Sequence, residues 1–453
     1  MIAEPDRAKR NPAAVEAADV IAEPDRAKRN PAAVEAAGVI AEPDRAKRNP
    51  AAVEAAGPSS AESWHEQNRD RLAALRADDR VLEAIAAAGW PGTAGGWRRT
   101  FGRIELDREH YATLVFESRG AVVRVEALAE RPRGSANGAA VVPAREIGWL
   151  RMEALPHDPA LTTLGAVMTA AEGATVVRYR PYRRCTVRVD GPGGPRFAKV
   201  FADERGRRIH AAGQAIWAAA ERGELPFAVP RPAGWSPPTR AVWQGTVAGE
   251  PAIACLYGEG GAATARAMGA AAAALTRAGL EPPATYDAAA QLDDSRRKAG
   301  ALVRLVPRLR PAAEELLAGL RAVHARARLT APRPIHGAPH ANQWLIAGDG
   351  LGLVDFDGFA LGDPERDAAT FMAELDFEDR AAVPVAELNR AFLDGYSDRG
   401  VALEPSLLAA YRAHKRLAKA LRTARALRPD GDDRAERHLA RAAECIATPP
   451  GAS

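Results

Sequence analysis

Residues 335–357 constrain the fold more than any other stretch of the chain. They read Ile-His-Gly-Ala-Pro-His-Ala-Asn-Gln-Trp-Leu-Ile, a Gly-rich turn at 347–350, then Leu-Gly-Leu-Val-Asp-Phe-Asp. Trp344–Ile346 and Leu351–Val354 are short apolar runs bounded by turn residues, which predicts two strands joined tightly. Polar side chains sit at the tips of both runs. A hairpin here collects His336, His340, Gln343, Asp355 and Asp357 at one end. Those side chains are proton carriers and oxygen ligands for a hard cation.

A chain of 453 residues has room for two lobes and extensions around such a hairpin. Its charged residues are spread without a long basic block, and the net charge is only +4. That argues against nucleic acid as a partner and leaves room for acidic or phosphorylated small ligands. Cys185, Cys255 and Cys445 are far apart and odd in number, so neither a disulfide frame nor a zinc site is expected. Buried free thiols and a reducing, cytoplasmic setting fit better. The first residues lack the apolar core of a signal peptide. No uncharged apolar run reaches the ~18 residues of a membrane span. The Ala-rich stretch 261–276 comes nearest and is bracketed by Arg266 and Arg277.

Four regions follow from the composition. Residues 1–59 carry a unit, Ile-Ala-Glu-Pro-Asp-Arg-Ala-Lys-Arg-Asn-Pro-Ala-Ala-Val-Glu-Ala-Ala, in three near-identical copies. Asn-Pro could cap a short helix in each, but Ala-rich units cannot build a solenoid core, so this tail is expected to be disordered. Residues 60–171 form an α/β extension. Residues 61–89 have loose helical periodicity, and Ala112–Phe116 and Ala121–Val125 flank Arg119-Gly120 as a hairpin. It is expected to be a module packed on the first lobe.

Residues 172–248 read as a small β-rich lobe. Thr175–Val189 is strand, turn, strand, and Arg196–Phe201 is a third strand carrying Lys199. Lys199 is the only lysine between Lys47 and Lys298 in a chain that otherwise uses arginine. An isolated lysine on a strand suggests a need for a compact ammonium; a snorkelling surface lysine is the plain alternative. Residues 249–450 are Ala/Leu-rich and helical, with breaks near Pro282-Pro283 and Pro307 and helices at 366–376, 385–398 and 404–447. His324 reads as structural, and Tyr411, His414, Leu417 and Leu421 as one core face.

The motifs resemble those of the aminoglycoside phosphotransferase and choline kinase family, distant relatives of protein kinases. That family carries His-Gly-Asp-x-His-x-x-Asn followed by a strand ending Ile-Asp-[Phe/Trp]-[Asp/Glu]. His336, Gly337 and His340 match, and Asp355 falls on the metal-binding Asp. Gln343 stands at the Asn position, keeping an amide oxygen on a longer stem. Ala338 stands at the catalytic Asp, where a methyl group cannot accept or orient a hydroxyl proton. Ala360–Phe371 is similar to the family's Gly-Asp-Pro-x-x-Asp stretch, with Asp363 and Asp367 in the Asp places and Asp367 expected to brace the loop.

The resemblance implies an α+β, two-lobed protein kinase-like fold with a small β-rich N-lobe and a larger helical C-lobe. It implies ATP and Mg²⁺ as cofactors and an unidentified small-molecule acceptor. Lys199 would hold nucleotide phosphates, and Gln343 and Asp355 the metal. Arg180, Arg183 and Arg184, in a turn without glycines, either neutralise phosphates or form a solvated turn. Backbone near Gln244 to Val247 would meet an adenine edge. The helix after Lys199 carries His210, Gln214 and Trp217, with no glutamate clearly placed to pair with the lysine. Two functions are compatible with these residues: phosphotransfer to a small-molecule hydroxyl with Asp357 or His340 compensating for Ala338, or a pseudokinase that binds nucleotide without transfer. A third is different chemistry on the same fold, and Ala338 as an inactivating substitution in an ordinary kinase is a variant of the second.

Overall fold

Alternating apolar residues and tight turns set the first sheet. The computed structural model describes residues 59–90, 96–134, 138–170, 173–327, 331–348, 350–375 and 384–447. The tandem repeats therefore lie outside the described residues. Helices α1 (Ser59–Arg76) and α2 (Asp79–Ala87) precede strands β1 (Arg98–Ile104), β2 (Ala112–Ser118), β3 (Ala121–Leu128), β4 (Ala140–Ala144) and β5 (Gly148–Ala154). The five strands are antiparallel in the order β1-β2-β3-β5-β4. Arg119 and Gly120, both at positive φ (43° and 83°), make the β2–β3 turn, whose handedness suits the twist of a hairpin.

A short helix α3 (Leu164–Thr169) leads to the second sheet, built from β6 (Thr175–Arg180), β7 (Arg184–Val189), β8 (Arg196–Phe201), β9 (Pro232–Ser236) and β10 (Ala241–Gly245). Its order is β6-β7-β8-β10-β9, with helix α4 (Arg205–Glu221) inserted between β8 and β9. The helical part follows with β11 (Glu250–Pro251), α5 (Ile253–Leu256), α6 (Gly261–Arg277), β12 (Thr285–Tyr286), α7 (Ala288–Leu305) and α8 (Arg310–Arg326). Next come β13 (Arg333–Ile335), β14 (Trp344–Ala347), β15 (Gly350–Leu353), β16 (Ala360–Gly362), α9 (Pro364–Leu375), α10 (Val385–Asp398), α11 (Pro405–Arg425) and α12 (Gly431–Ala447). The hairpin expected from the sequence is β14–β15, paired Trp344 to Leu353 through Ala347 to Gly350. The single helix expected over 404–447 is two helices. Pro429 lies between them and disfavours helix continuation, and Gly431 opens the second. No described helix is long and apolar enough to cross a membrane.

Three apolar cores organise these elements. One lies under the hairpin, where Trp344, Leu353, Phe371, Phe392 and Tyr411 pack together. A second lies within the small lobe, around Cys185, Val187, Ala198 and Val200. The third adds to an expectation from the sequence. Residues Leu114, Phe116, Val123 and Val125 of the extension join a core with Leu302, Leu316, Leu417 and Leu439 of the helical part. The extension thus packs on both lobes: one face of its sheet meets the large lobe, and the opposite face, with Val115 and Val122, meets the small lobe as expected, joined by Leu161 and Leu164. The alternation of β3 makes this possible, because successive side chains point to opposite faces of a sheet. Of the three cysteines, none is paired. Cys185 is buried as expected, Cys445 is half-buried and Cys255 is exposed, so the expectation of buried thiols fails for Cys255.

A shared core makes the extension and the large lobe one cooperative unit. Leu114→Ala removes a fully buried side chain and should destabilise the protein by about 2–5 kcal/mol. Urea melts followed by tryptophan fluorescence and by far-ultraviolet circular dichroism should shift together. Two separate transitions, with only one displaced, would show the extension folding on its own.

Candidate active site

The loop that follows β13 is shaped by a glycine and braced by a buried carboxylate. Gly337 has φ 89°, and a Cβ there would stand 2.3 Å from the Gly358 carbonyl oxygen. Only glycine fits both demands. Asp367, in the first turn of α9, accepts hydrogen bonds from the backbone N–H of His336 (2.6 Å) and of Gly337 (2.8 Å). This is the brace expected of Asp367. Asp363 does a different job, accepting from the Tyr411 hydroxyl at 2.6 Å. Burial pushes the Asp367 carboxyl up, against the pull of His336 and Arg366.

His336 is 1% exposed. Its Nδ1 accepts from the Ala338 N–H (3.3 Å), so Nε2 carries the proton and donates to the Val354 carbonyl (3.0 Å). Burial lowers its pKa and keeps it neutral. With both nitrogens engaged, His336 ties the loop to the residue that follows β15. His340 lies nearer the opening. Its Nε2 is 3.1 Å from Gln343 Nε2, which places the imidazole proton on Nδ1, a buried atom with no partner among the described residues. Ala338, between the two histidines in the loop, is half-buried.

Asp355 follows β15 in the left-handed region, φ 70° and ψ 52°. A non-glycine residue held there is uncommon and strained, and such residues cluster at functional sites. The strained backbone delivers Asp355 and Asp357 to one ammonium. Lys199 Nζ is 2.5 Å from Asp355 Oδ1 and 2.6 Å from Asp357 Oδ1. Arg184 of β7 bonds Asp357 and stands 3.7 Å from Asp355. Two cations and two anions thus close on one another, with Lys199 only 6% exposed. Burial works against the charge on Lys199, but Asp357 and Asp355 hold it protonated above the usual lysine range. Burial also opposes ionisation of Asp355, yet Lys199 and Arg184 hold its carboxyl well below the carboxylate range. Asp357 goes the other way, pushed up by burial and by Asp355. Two carboxylates sharing one cation separate in this manner.

Gln343 completes the group. Its Nε2 donates to Asp355 Oδ2 at 3.1 Å, while its Oε1 is buried with no partner among the described residues. Beside the carboxylates, that orphaned oxygen suits a hard cation, which takes protein oxygens singly and completes its shell with phosphates and water. No group of three or more His, Cys, Asp or Glu side chains able to hold a metal by itself occurs among the described residues.

A cleft opens from this cluster between α4 and β10. Ile209, Gly213, Ile216, Val229, Val242 and Phe356 line it, with Gln244 at the side and Asp355 and Asp357 at the end. Val247 leans on Gly352 instead, where a Cβ would come within 2.5 Å of its Cγ1. Of the three turn arginines, only Arg184 meets carboxylates. Arg180 has no acidic partner among the described residues, and burial with its arginine neighbours lowers it to about 10. Arg183 is exposed. No glutamate of α4 reaches Lys199, since Glu204 lies 3.8 Å from Arg240 and Glu221 is exposed. The two aspartates take that place. Arg184 as their second cation escapes sequence reading, because only the fold brings β7 over the end of the hairpin.

Residues 182–403 match the family model for the phosphotransferase enzyme family. That segment, just under half of the chain, is similar to this family. The matched segment begins in the β6–β7 turn and ends beyond α10, so the sheet β1–β5 and helix α12 lie outside it. No curated protein matches the sequence. Among solved structures, a choline/ethanolamine kinase family protein from Mesorhizobium loti is 19% identical, with 62% of this chain and 91% of that one covered and a TM-score of 0.43. An aminoglycoside 3'-phosphotransferase of type VIII is 24% identical over 57% of this chain and 99% of that one, TM-score 0.44. A spectinomycin phosphotransferase solved with ADP and spectinomycin is 10% identical over 63% and 97%, TM-score 0.44. The chain carries the two-lobed α+β, kinase-like architecture that its motifs imply, with a β-rich first lobe and a helical second lobe.

The Asp367 brace is the part of this site most exposed to a stability test. Asp367→Ala leaves two buried N–H groups without their acceptor and should cost about 2–3 kcal/mol. Chemical denaturation of the purified variant measures it. A loss below half a kilocalorie, within the error of the method, would mean the loop keeps its shape without the carboxylate.

Proposed function

We propose that the protein is an ATP- and Mg²⁺-dependent phosphotransferase acting on a small-molecule hydroxyl. The observation that carries this reading is Lys199 held between Asp355 and Asp357 at the end of an apolar cleft. A flat base fits the apolar walls, and the charged end suits a polyphosphate. The family match and the ADP complex of a phosphotransferase with similar fold lend support. Phosphates entering the cleft would draw Lys199 toward themselves and release the two carboxylates from it. Asp355 and the free Gln343 oxygen would hold Mg²⁺, which when bound neutralises charge on the phosphates. Arg184 follows the phosphates as a second cation in place of backbone amides.

The reaction moves the γ-phosphoryl group of ATP to the hydroxyl oxygen, breaking the bond to ADP and releasing the hydroxyl proton. Such transition states are loose, and catalysis rests mainly on positioning and charge stabilisation. The chain can therefore transfer slowly with Ala338 where a base would stand. Neither His340 nor Asp357 replaces it in position: His340 faces Gln343, and Asp357 faces Lys199 and Arg184.

Two variants test this. Ala338→Asp should raise phosphoryl transfer from γ-labelled ATP to a hydroxyl acceptor panel by tenfold or more. Lys199→Ala should weaken ATP binding at least tenfold by calorimetry, with thermal melts confirming that the variant is folded. Undiminished ATP affinity in Lys199→Ala, or no transfer by Ala338→Asp with any acceptor, would contradict the proposal.

A further inference from the structure

The turn that leads into Arg184 is held by an unusual set of buried charges from outside the matched family segment. In the turn Arg180-Pro181-Tyr182-Arg183, Arg183 N–H closes on the Arg180 carbonyl at 3.1 Å. Pro181 suits the second position of such a turn, but the third requires positive φ and normally takes glycine. Tyr182 occupies it with φ 62°. A bulky residue in this region persists only when its surroundings over-determine it.

Those surroundings are the face of the first sheet that the alternation of β3 turns away from the large lobe. Tyr182 donates its hydroxyl to Glu126, and its ring lies against His110 at 5.5 Å between centroids and under the Arg108 guanidinium at 4.0 Å. Its backbone N–H donates to Asp158 Oδ2 at 2.9 Å, and the same oxygen accepts from the Tyr179 hydroxyl at 2.5 Å. Arg124, 1% exposed, spans the group: 3.1 Å from Glu126, 3.5 Å from Asp158, and bonded to Glu153. Arg151 also bonds Glu126. Burial works against the Glu126 charge, but Arg124, the Tyr182 hydroxyl and the neighbouring cations keep it ionised. Buried charges are costly unless paired, so a network of ion pairs of this size fixes the geometry of what it holds.

We infer that the N-terminal sheet is a clamp on the β6–β7 turn, with Tyr182 as the positioning residue that aims Arg184 at the nucleotide phosphates. This rests on the nucleotide reading of the cleft. Where glycine would leave such a turn free to move, Glu126 and Asp158 hold it ready, and Arg184 leaves the turn already directed at Asp357. The clamp acts on phosphates and leaves the base-binding walls alone, since those belong to α4, β10 and the hairpin end.

The full chain and two variants, Tyr182→Gly and Tyr182→Phe, are titrated by calorimetry with MgATP and, separately, with adenosine. Tyr182→Gly removes the backbone strain, so it folds while losing the clamp. Hydrogen exchange of the 180–184 amides is followed in the same proteins. The inference predicts faster exchange of the turn in Tyr182→Gly and a tenfold or greater loss of MgATP affinity. Adenosine affinity stays within twofold, and Tyr182→Phe falls between wild type and Tyr182→Gly. Equal losses for ATP and adenosine, undiminished ATP affinity in Tyr182→Gly, or unchanged exchange of the turn would overturn it while leaving the nucleotide reading intact. Failure of the wild-type chain to bind either ligand would overturn the nucleotide reading and the role of the clamp with it.

Discussion

One ammonium between two carboxylates sets the terms for the rest of this molecule. Lys199 comes from the middle of the small lobe's sheet, and Asp355 and Asp357 from the end of a hairpin in the large lobe. Their ion pairs join the lobes at the end of the cleft. Such a cluster is costly to bury and gains little if its members are well satisfied by one another. Its net neutrality with Arg184 means that it can also be taken apart by a ligand that brings its own negative charge. Closed, it is an interlobe tie. On the proposed reading, phosphates would open it and the same four side chains would become a binding site.

Each of the four is placed by a different local device. Lys199 is fixed by strand pairing to Thr186 and Val242. Asp355 is fixed by a left-handed backbone at the end of β15, and the preceding loop by Gly337 and the Asp367 brace. Arg184 is fixed by the turn before it, which depends on a module the family model does not include. A glycine-free turn, an arginine in place of backbone amides and an added sheet thus belong together. Each makes sense of the others.

The hairpin and Lys199 were legible because they rest on local patterns, short apolar runs, turn residues and a lone lysine, whereas the Asp367 brace was implied by the resemblance of its motif to a known family. The clamp was not. Along β3 the sequence Val-Arg-Val-Glu-Ala alternates as a half-solvated strand would, and nothing nearby says that Arg124 and Glu126 are buried. Their partner Tyr182 lies 56 residues from Glu126, in another sheet. Periodicity reports that a face is polar, and only tertiary packing decides whether water or protein satisfies it. The same limit explains the extension's place on the large lobe, which follows from Leu114 and Leu417 sharing a core. His336 was singled out by motif, yet its two hydrogen bonds make it part of the frame. The segment 404–447 was read without a break, yet Pro429 falls in the gap between α11 and α12.

The central claim is that the Lys199–Asp355–Asp357 cluster is the nucleotide and metal site. Calorimetric titration of wild type and Asp355→Asn with ATP, each with and without Mg²⁺, tests it most directly. The account predicts that magnesium strengthens ATP binding at least tenfold in wild type and has no effect in Asp355→Asn. ATP binding that ignores magnesium in both proteins, or responds to it equally in both, would contradict the assignment.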